Sequence, residues 1–478
     1  MIETQVDRRM LINGRWVEAD ETFDVTDPQD GSLLARMPRA SVQQMEEAIQ
    51  GARRGRQVAQ GLPVHRRKAI LARTAEIIES RAEEVARTLA RDCSKTIREA
   101  RKEVVRAQDT LRLSAEEAGR SQGETIAYDQ RPGTEGRIGY YERFPLGIVG
   151  AITPFNDPLN LVAHKLGPAI ATGNAVVLKP SSDAPLGAHL LVEALVEAGL
   201  PPQVVAIVTG DGRTLGDYLA AHPDVPMISF TGGLATGLAI ARRAGIKKLA
   251  MELGSNSPTI VLSDADVDKA VGATLSGAFA NAGQNCLGVQ RILLEEPIAD
   301  AFQERFLAGA RAMRMGDKLD ERTDLGPMIS EREAVRVESW VQEAISLGAR
   351  LLAGGRRQGA FYEPTVLTDV PQGCRLDQDE IYGPVVSLYR VKDVSEAIRK
   401  ANDTPYGLQA GVFTRSLDLA FRCVRELEMG GVMVNDSSDF RIDAMPFGGV
   451  KGSGLGREGV HYAAEEMTER RVVCLNLA

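Results

Sequence analysis

Cys286 closes the tetrapeptide GQNC (283–286) and precedes LGVQR, a polar and flexible setting unlike that of a packed thiol. A cysteine so placed is either a small core hydrophobe, the commoner fate of the residue, or a nucleophile. A nucleophilic thiol must lose its proton, which takes a base or an electropositive niche. Glu252, in MELGSNSP, stands 34 residues earlier (286 − 252) at the end of an expected strand. A carboxylate there can act as general base for the thiol or for a hydrolytic water; the bland reading is a surface charge. Asn156 follows an apolar strand and Pro-Phe. Its amide can join the backbone N–H of Cys286 in holding an oxyanion, or it can simply make a turn.

A second set of residues suits a nucleotide. No GxGxxG follows the first strand of the α/β block, so the ordinary dinucleotide fingerprint is absent. The strand ends carry TPFN (153–156), KPSS (179–182) and FTGG (230–233) instead. Lys179 can sit beside ribose hydroxyls or a phosphate, and Gly232–Gly233 can bring a helix N-terminus to a pyrophosphate. Such pairs are more often plain turns. The glycine density of EIYGPV (380–385) and PFGGVKGSGLGREG (446–459) suggests close backbone approach.

These residues need a scaffold, and the hydrophobic pattern supplies one. Residues 1–60 open with strand-like pieces such as MLINGRWVEA and pass into a helical pattern; Arg66 to about Gly119 is strongly helical. Gly123 to Arg143 alternates polar and apolar residues around RPGTEG, as an extended hairpin does. From Leu146, the runs GIVGAIT, NAVVLKP, VVAIVTG, MISFTGG and KKLAMEL alternate with helical stretches, the order of a parallel sheet wrapped by helices. A second α/β block runs from about Pro258 to Pro446, with strands at TIVL, RILL, EPTVL, VVSLYR and GVMVN. RRVVCLNL near the end reads as an edge strand.

Length and composition narrow the functional classes. A chain of 478 residues is too long for one core, so two or three domains are expected. A net charge of -8, spread along the chain, argues against duplex nucleic acid as a partner. Charges interrupt the N-terminal segment, and no run reaches about 18 apolar residues, so neither a signal peptide nor a membrane span is expected. Five scattered cysteines with no CxxC, and only five histidines, argue against a metal cluster. Free thiols in a reducing cytoplasm are the economical expectation.

TPFN, KPSS, FTGG, MELGSNSP, GQNC, EIYGPV and PFGGVKGSGLGREG follow one another in the order and spacing of the aldehyde dehydrogenase superfamily, which the chain resembles along nearly its whole length. The resemblance implies an α/β fold. It has a Rossmann-like cofactor domain (1–122 and 144–253), a catalytic domain (254–446), and a bridging hairpin and strand (123–143 and 465–478) that build a homodimer or homotetramer. It implies Cys286 as nucleophile, Glu252 as base and Asn156 as oxyanion amide. It also implies NAD or NADP contacts from Thr153, Phe155, Lys179, Ser182, Gly212, Thr231, Gly232, Gly233, Leu253, Glu380 and Tyr382.

The chain departs from the family pattern at three places. Ser182 replaces the Glu usual in strongly NAD-preferring members, and a hydroxyl does not repel a 2′-phosphate, so NADP is expected to be used or tolerated. Gly254–Ser255 replaces Gly-Gly, and Tyr382 replaces Phe while keeping the ring. Asp157 and His164 stand where many relatives have aromatic residues. Arg106 and Arg441 are expected at the substrate tunnel, although ion pairing between domains or subunits would serve them equally well. Asn285 precedes Cys286 where a phosphonate-binding member has a basic residue. A polar pocket of this kind suggests a short hydroxylated or anionic aldehyde. NDPLNLVAHK and FRIDAMPFGG are similar to the lactaldehyde and phosphonoacetaldehyde dehydrogenase branch. Competing expectations are a CoA-acylating enzyme, a succinate semialdehyde dehydrogenase, and an inactive structural relative.

Overall fold

The first sheet of the computed structural model is built from the apolar runs that follow Pro145. Every residue of Ile148–Ile152, Ala175–Lys179 and Met227–Thr231 is buried, as in parallel strands covered on both faces. The structure describes residues 6–120 and 123–477. The outer ends of the expected segments, at residues 1–5, 121–122 and 478, lie outside the described residues.

The eight strands of this sheet run in the order Gly454–Leu455, Lys248–Glu252, Met227–Thr231, Ile148–Ile152, Ala175–Lys179, Val205–Ile207, Met10–Ile12 and Arg15–Val17. From Ile148–Ile152 the chain adds two strands on one side, toward the earlier Met10–Ile12 and Arg15–Val17, then crosses to add Met227–Thr231 and Lys248–Glu252 on the other. Ligands of open α/β sheets bind where the order reverses in this way, beyond the carboxyl ends of the strands. Thr153, Phe155, Asn156, Thr231 and Gly232 all emerge there.

A second sheet of seven strands has the order Arg350–Ala353, Thr365–Thr368, Val385–Val391, Val289–Glu295, Ser257–Val261, Gln409–Phe413 and Gly431–Val434. It is parallel except for Arg350–Ala353. Gln409–Phe413 was not expected. Its sequence, QAGVF, is short and small, and it becomes a strand by filling the slot between two stronger ones. Each sheet has its own apolar core.

Two further elements position the site. The helix Ile97–Glu117 starts at Thr96, whose side chain accepts the Glu99 N–H while Glu99 reaches back to the Thr96 backbone. It buries Ala100, Val104, Ala107 and Leu111 on one face and turns Glu99, Lys102 and Arg106, spaced by three and four, toward a cavity. A three-stranded arm pairs Thr468–Asn476 with Arg137–Pro145, and that strand with Glu124–Ile126. Its long strand continues to Pro145, and its C-terminal strand begins at Thr468, because the helix Val460–Glu466 occupies the residues before it. Among the described residues, no helix is long and apolar enough to cross a membrane.

Candidate active site

The loop before Cys286 holds strained backbone. Asn281 and Ala282 take left-handed conformations at φ 52° and 53°, and Gly283 follows at φ 69°. Such residues persist only where surrounding contacts over-determine them. Gln284 supplies the contacts. Its buried amide donates to Ser94 Oγ at 2.9 Å and to the Asn281 carbonyl at 3.0 Å, and accepts the Ile329 N–H at 2.9 Å. Gly283 tolerates no side chain, since a Cβ there would lie 2.1 Å from the Gly383 carbonyl oxygen. Asn281 Nδ2 donates to the Asn156 carbonyl at 3.3 Å, tying the Cys286 loop to the switch point of the first sheet.

Cys286 and Asn156 line one cavity of about 470 Å³. Asn156 is buried, and its side-chain amide has no hydrogen-bond partner among the described residues, which leaves it free for an oxyanion. Burial pushes the Cys286 thiol up to about 12; Arg441 opposes the shift, and Glu380, Glu252 and Asp157 add to it. The resting group is therefore a thiol, and its attack requires a proton acceptor. Glu252 ends the strand Lys248–Glu252, buried, with Oε2 unpartnered among the described residues. Burial, followed by the charge of Glu458, pushes its carboxyl well above the usual range. A carboxyl raised in this way can exchange a proton nearer neutrality, as a general base must.

Ion pairs surround this centre. Glu458 bonds Lys165 at 3.2 Å and Arg441 at 3.0 Å. Burial opposes its ionisation, yet these two cations hold it down at about 2. Arg441 also stacks 3.8 Å over the Phe447 ring. On the opposite wall, Lys95 pairs with Glu103 at 2.6 Å and with Asp157, and Arg106 reaches Asp443 at 2.8 Å and Asp157 at 3.4 Å. Arg106, Asp157, Asn285 and Arg441 all line the cavity, so both arginines make intramolecular ion pairs while facing it. Asn285 also accepts the Leu287 N–H at 3.1 Å. His164 differs from expectation. It is fully buried off the cavity lining, with Nε2 2.9 Å from Asp443 Oδ1 and 3.3 Å from Arg441. Burial and the Arg441 charge lower its pKa, so a neutral imidazole braces Asp443.

Sequence reasoning missed Gln284, Lys95, Glu103, Lys165 and Glu458, whose partners lie far away in the chain. The one available signal was Glu103, three residues before Arg106 on the same helix. It also missed Lys102 and Asp439, both on the cavity wall.

A second cavity, of about 800 Å³, is lined by Thr153, Lys179, Ser182 and Gly212. Lys179 Nζ donates to the Pro180 carbonyl at 2.8 Å and lies 3.4 Å from Ser182 Oγ. Burial draws its pKa down to about 8. The Ser182 hydroxyl donates to the Gly210 carbonyl at 2.6 Å. Gly212 and Gly233 stand at the N-termini of the helices Gly212–Ala221 and Leu234–Ala244. Gly232 donates its N–H to the Glu252 carbonyl at 3.0 Å, and Leu253 packs on the second of these helices at Gly237.

The hydroxyls of Thr153 and Thr231 are buried without partners among the described residues, at the ends of adjacent strands. Orphaned donors at a switch point, beside two helix N-termini, fit a nicotinamide dinucleotide. Phe155 meets Tyr382 edge-on at 5.9 Å. Glu380 accepts the Ser255 N–H at 2.8 Å, and burial pushes its carboxyl up to about 7. A Cβ at 254 would fall 2.3 Å from Glu380 Oε2 and push that carboxylate aside. Because the backbone of residue 255 makes the bond to Glu380, Ser in place of Gly is harmless there. Arg213, also unforeseen, lines this cavity with no hydrogen-bond or ion-pair partner among the described residues.

Comparison with known proteins places the chain in a family. A family description, "Aldehyde dehydrogenase family", matches residues 16–473. Aspartate-semialdehyde dehydrogenase 1 of Pseudomonas canavaninivorans is 51% identical over 455 residues, covering 95% of this chain and 97% of its own. Lactaldehyde dehydrogenase of Methanocaldococcus jannaschii is 43% identical over 471 residues, covering 98% of this chain and 100% of its own. The crystal structure of NADP-dependent glyceraldehyde-3-phosphate dehydrogenase from Bacillus halodurans, complexed with NADP, superimposes with a TM-score of 0.97 at 38% identity, covering 99% of this chain and 100% of that one.

Proposed function

The chain belongs to the aldehyde dehydrogenase family and uses NAD or NADP, and on that premise we propose that it oxidises a short polar or anionic aldehyde to its carboxylic acid. The observation that carries the proposal is the shared cavity. Cys286 and Asn156 line it together with Arg106, Asp157 and Arg441, so the reacting groups stand in a charged chamber rather than an apolar one. The relatives named above act on aspartate semialdehyde, lactaldehyde and glyceraldehyde 3-phosphate by their names, all short and polar.

In this reading Glu252 takes the Cys286 proton and releases it to solvent, Cys286 Sγ attacks the aldehyde carbon, and the Asn156 amide takes the developing oxyanion. Thr153, Phe155, Lys179, Ser182, Gly212, Thr231, Gly232, Gly233, Leu253, Glu380 and Tyr382 hold the dinucleotide. A bound nicotinamide supplies the hydride acceptor for the oxidation. Cys286 then carries the acyl group as a thioester. Glu252 takes a proton from water, the resulting hydroxide attacks the thioester carbon, and the acid leaves as the thiolate is restored. A base retained for water favours hydrolysis over transfer to CoA. Ser182 and the unpaired Arg213 favour acceptance of a 2′-phosphate, hence NADP alongside NAD.

The first sheet thus serves the cofactor and the second carries Cys286. The exposed apolar side chains of the three-stranded arm, Ile138 and Leu475 among them, support a homodimer or homotetramer. Five free cysteines fit a cytoplasmic enzyme.

Initial rates with NAD and NADP against lactaldehyde, succinate semialdehyde, phosphonoacetaldehyde, propanal and benzaldehyde test the proposal, with products analysed with and without CoA. Short polar aldehydes should give the highest kcat/KM and the free acid. Preference for benzaldehyde would contradict the charged chamber, and acyl-CoA formation would contradict the hydrolytic step.

A further inference from the structure

Lys102 and Asp439, both on the substrate cavity wall, have no ion pair among the described residues, and from them we propose that the substrate is a zwitterion. It is a short α-amino acid whose side chain ends in the aldehyde, with its carboxylate taken by Lys102 and its ammonium by Asp439. The inference rests on the proposed oxidation at Cys286 and adds the chemical class of the molecule oxidised there.

The other charged groups on that wall are held by ion pairs or, for Glu99, by N–H donors. Besides the pairs already described, Arg98 bonds Asp324 at 2.7 Å, and Glu99 is held by the Thr96 and Asn281 N–H groups. Lys102 stands one helical turn before Arg106, exposed, with no hydrogen bond or ion pair among the described residues. Asp439 lies in the loop after the strand Gly431–Val434, more buried than Lys102. Its side chain bonds one group, the Ser437 hydroxyl.

Lys102 and Asp439 line the same cavity with no contact between their side chains. Burial and the neighbouring Asp436 disfavour the Asp439 carboxylate, while Ser437 and Lys102 favour it. A half-buried carboxylate without an ion pair costs free energy that a ligand ammonium recovers. An α-amino acid carries both charges on one carbon and so presents them together to a gap lined by the opposite pair. A simple anion would leave Asp439 facing like charge, and a simple cation would leave Lys102 uncovered, so both are selected against. Cys286 lines the same cavity, where the aldehyde end of such a molecule must arrive.

The test compares kcat/KM of the intact enzyme for aspartate 4-semialdehyde, succinate semialdehyde and 3-aminopropanal, with lactaldehyde as the uncharged reference. The zwitterion should exceed each singly charged analogue by at least about tenfold, the scale of one charge-assisted hydrogen bond. Asp439→Asn, which keeps the Ser437 contact, should pull the ratio of zwitterion to succinate semialdehyde toward one, mainly through KM. Lys102→Met should pull the ratio of zwitterion to 3-aminopropanal the same way. Turnover of lactaldehyde or succinate semialdehyde without preference for the zwitterion, or variants that leave both ratios unchanged, overturns this inference while the proposed oxidation stands. Failure to oxidise any of these aldehydes with either cofactor overturns both.

Discussion

Arg441 and Glu458 form a buried ion pair, Nη2 to Oε2 at 3.0 Å, and its cation is also the charge that draws the Cys286 thiol toward thiolate. Lys165 shares the same carboxylate at 3.2 Å. Anchored in this way and stacked on Phe447, Arg441 also lines the cavity that holds Cys286.

Replacing Arg441 by Met removes that charge and leaves Glu458 to Lys165 alone. Alkylation of Cys286 by iodoacetamide near pH 8 should slow by about tenfold, one unit of thiol pKa. The melting temperature should fall as well, since breaking a buried pair is strongly destabilising. A folded variant alkylated at the parental rate would refute the electrostatic role.

The Glu252 carboxyl is pushed well above its ordinary value of 4.5 in the folded protein. As general base it must be deprotonated, so kcat should fall as pH drops toward that raised value. Glu252→Gln should remove this limb and lower kcat by about a hundredfold or more. The linkage has a definite sign. A folded-state pKa above the unfolded one contributes stability below pH 4.5 that is lost as pH rises. Glu252→Gln should therefore be neutral or stabilising at pH above that value, and a clear loss of melting temperature near pH 8 would count against the burial argument.

Ser182 offers no charge to the adenosine side of the cofactor cavity. Ser182→Glu places a carboxylate where a 2′-phosphate is expected, and like charges oppose each other strongly at such a site. The ratio of kcat/KM with NADP to that with NAD should drop by at least about tenfold. An unchanged ratio would mean that the phosphate lies elsewhere.

On the arm, Ile138 and Leu475 sit directly opposite each other, 58% and 49% exposed. Ile138→Glu should dissociate the assembly, measured as a lower mass in light scattering behind size exclusion. A variant that keeps the parental oligomeric mass would remove the arm from the interface.

What was readable in the chain was local. Strands such as Ala175–Lys179 are continuous apolar runs, and the polar residues that close them mark the ligand end of the sheet, so Asn156, Lys179 and Glu252 could be located without coordinates. The arm was readable from its alternation. Contacts between distant residues were not. His164 looked like a pocket residue because nothing nearby in sequence shows that Asp443, 279 positions away, takes its imidazole. Gln284 could not be recognised as the clamp of the Cys286 loop, since Ser94 and Ile329 come from other parts of the chain. The strand Gln409–Phe413 escaped because its small residues gain their pairing from neighbours rather than from propensity.

The central claim is that Cys286 carries the acyl group. Glu252→Gln enzyme, mixed with NADP and a substrate aldehyde and quenched in acid, should show an acyl adduct on the Cys286 peptide by mass spectrometry. Cys286→Ala should show neither adduct nor turnover while still binding NADP. Aldehyde oxidation by Cys286→Ala at a rate comparable to the parent would contradict the account.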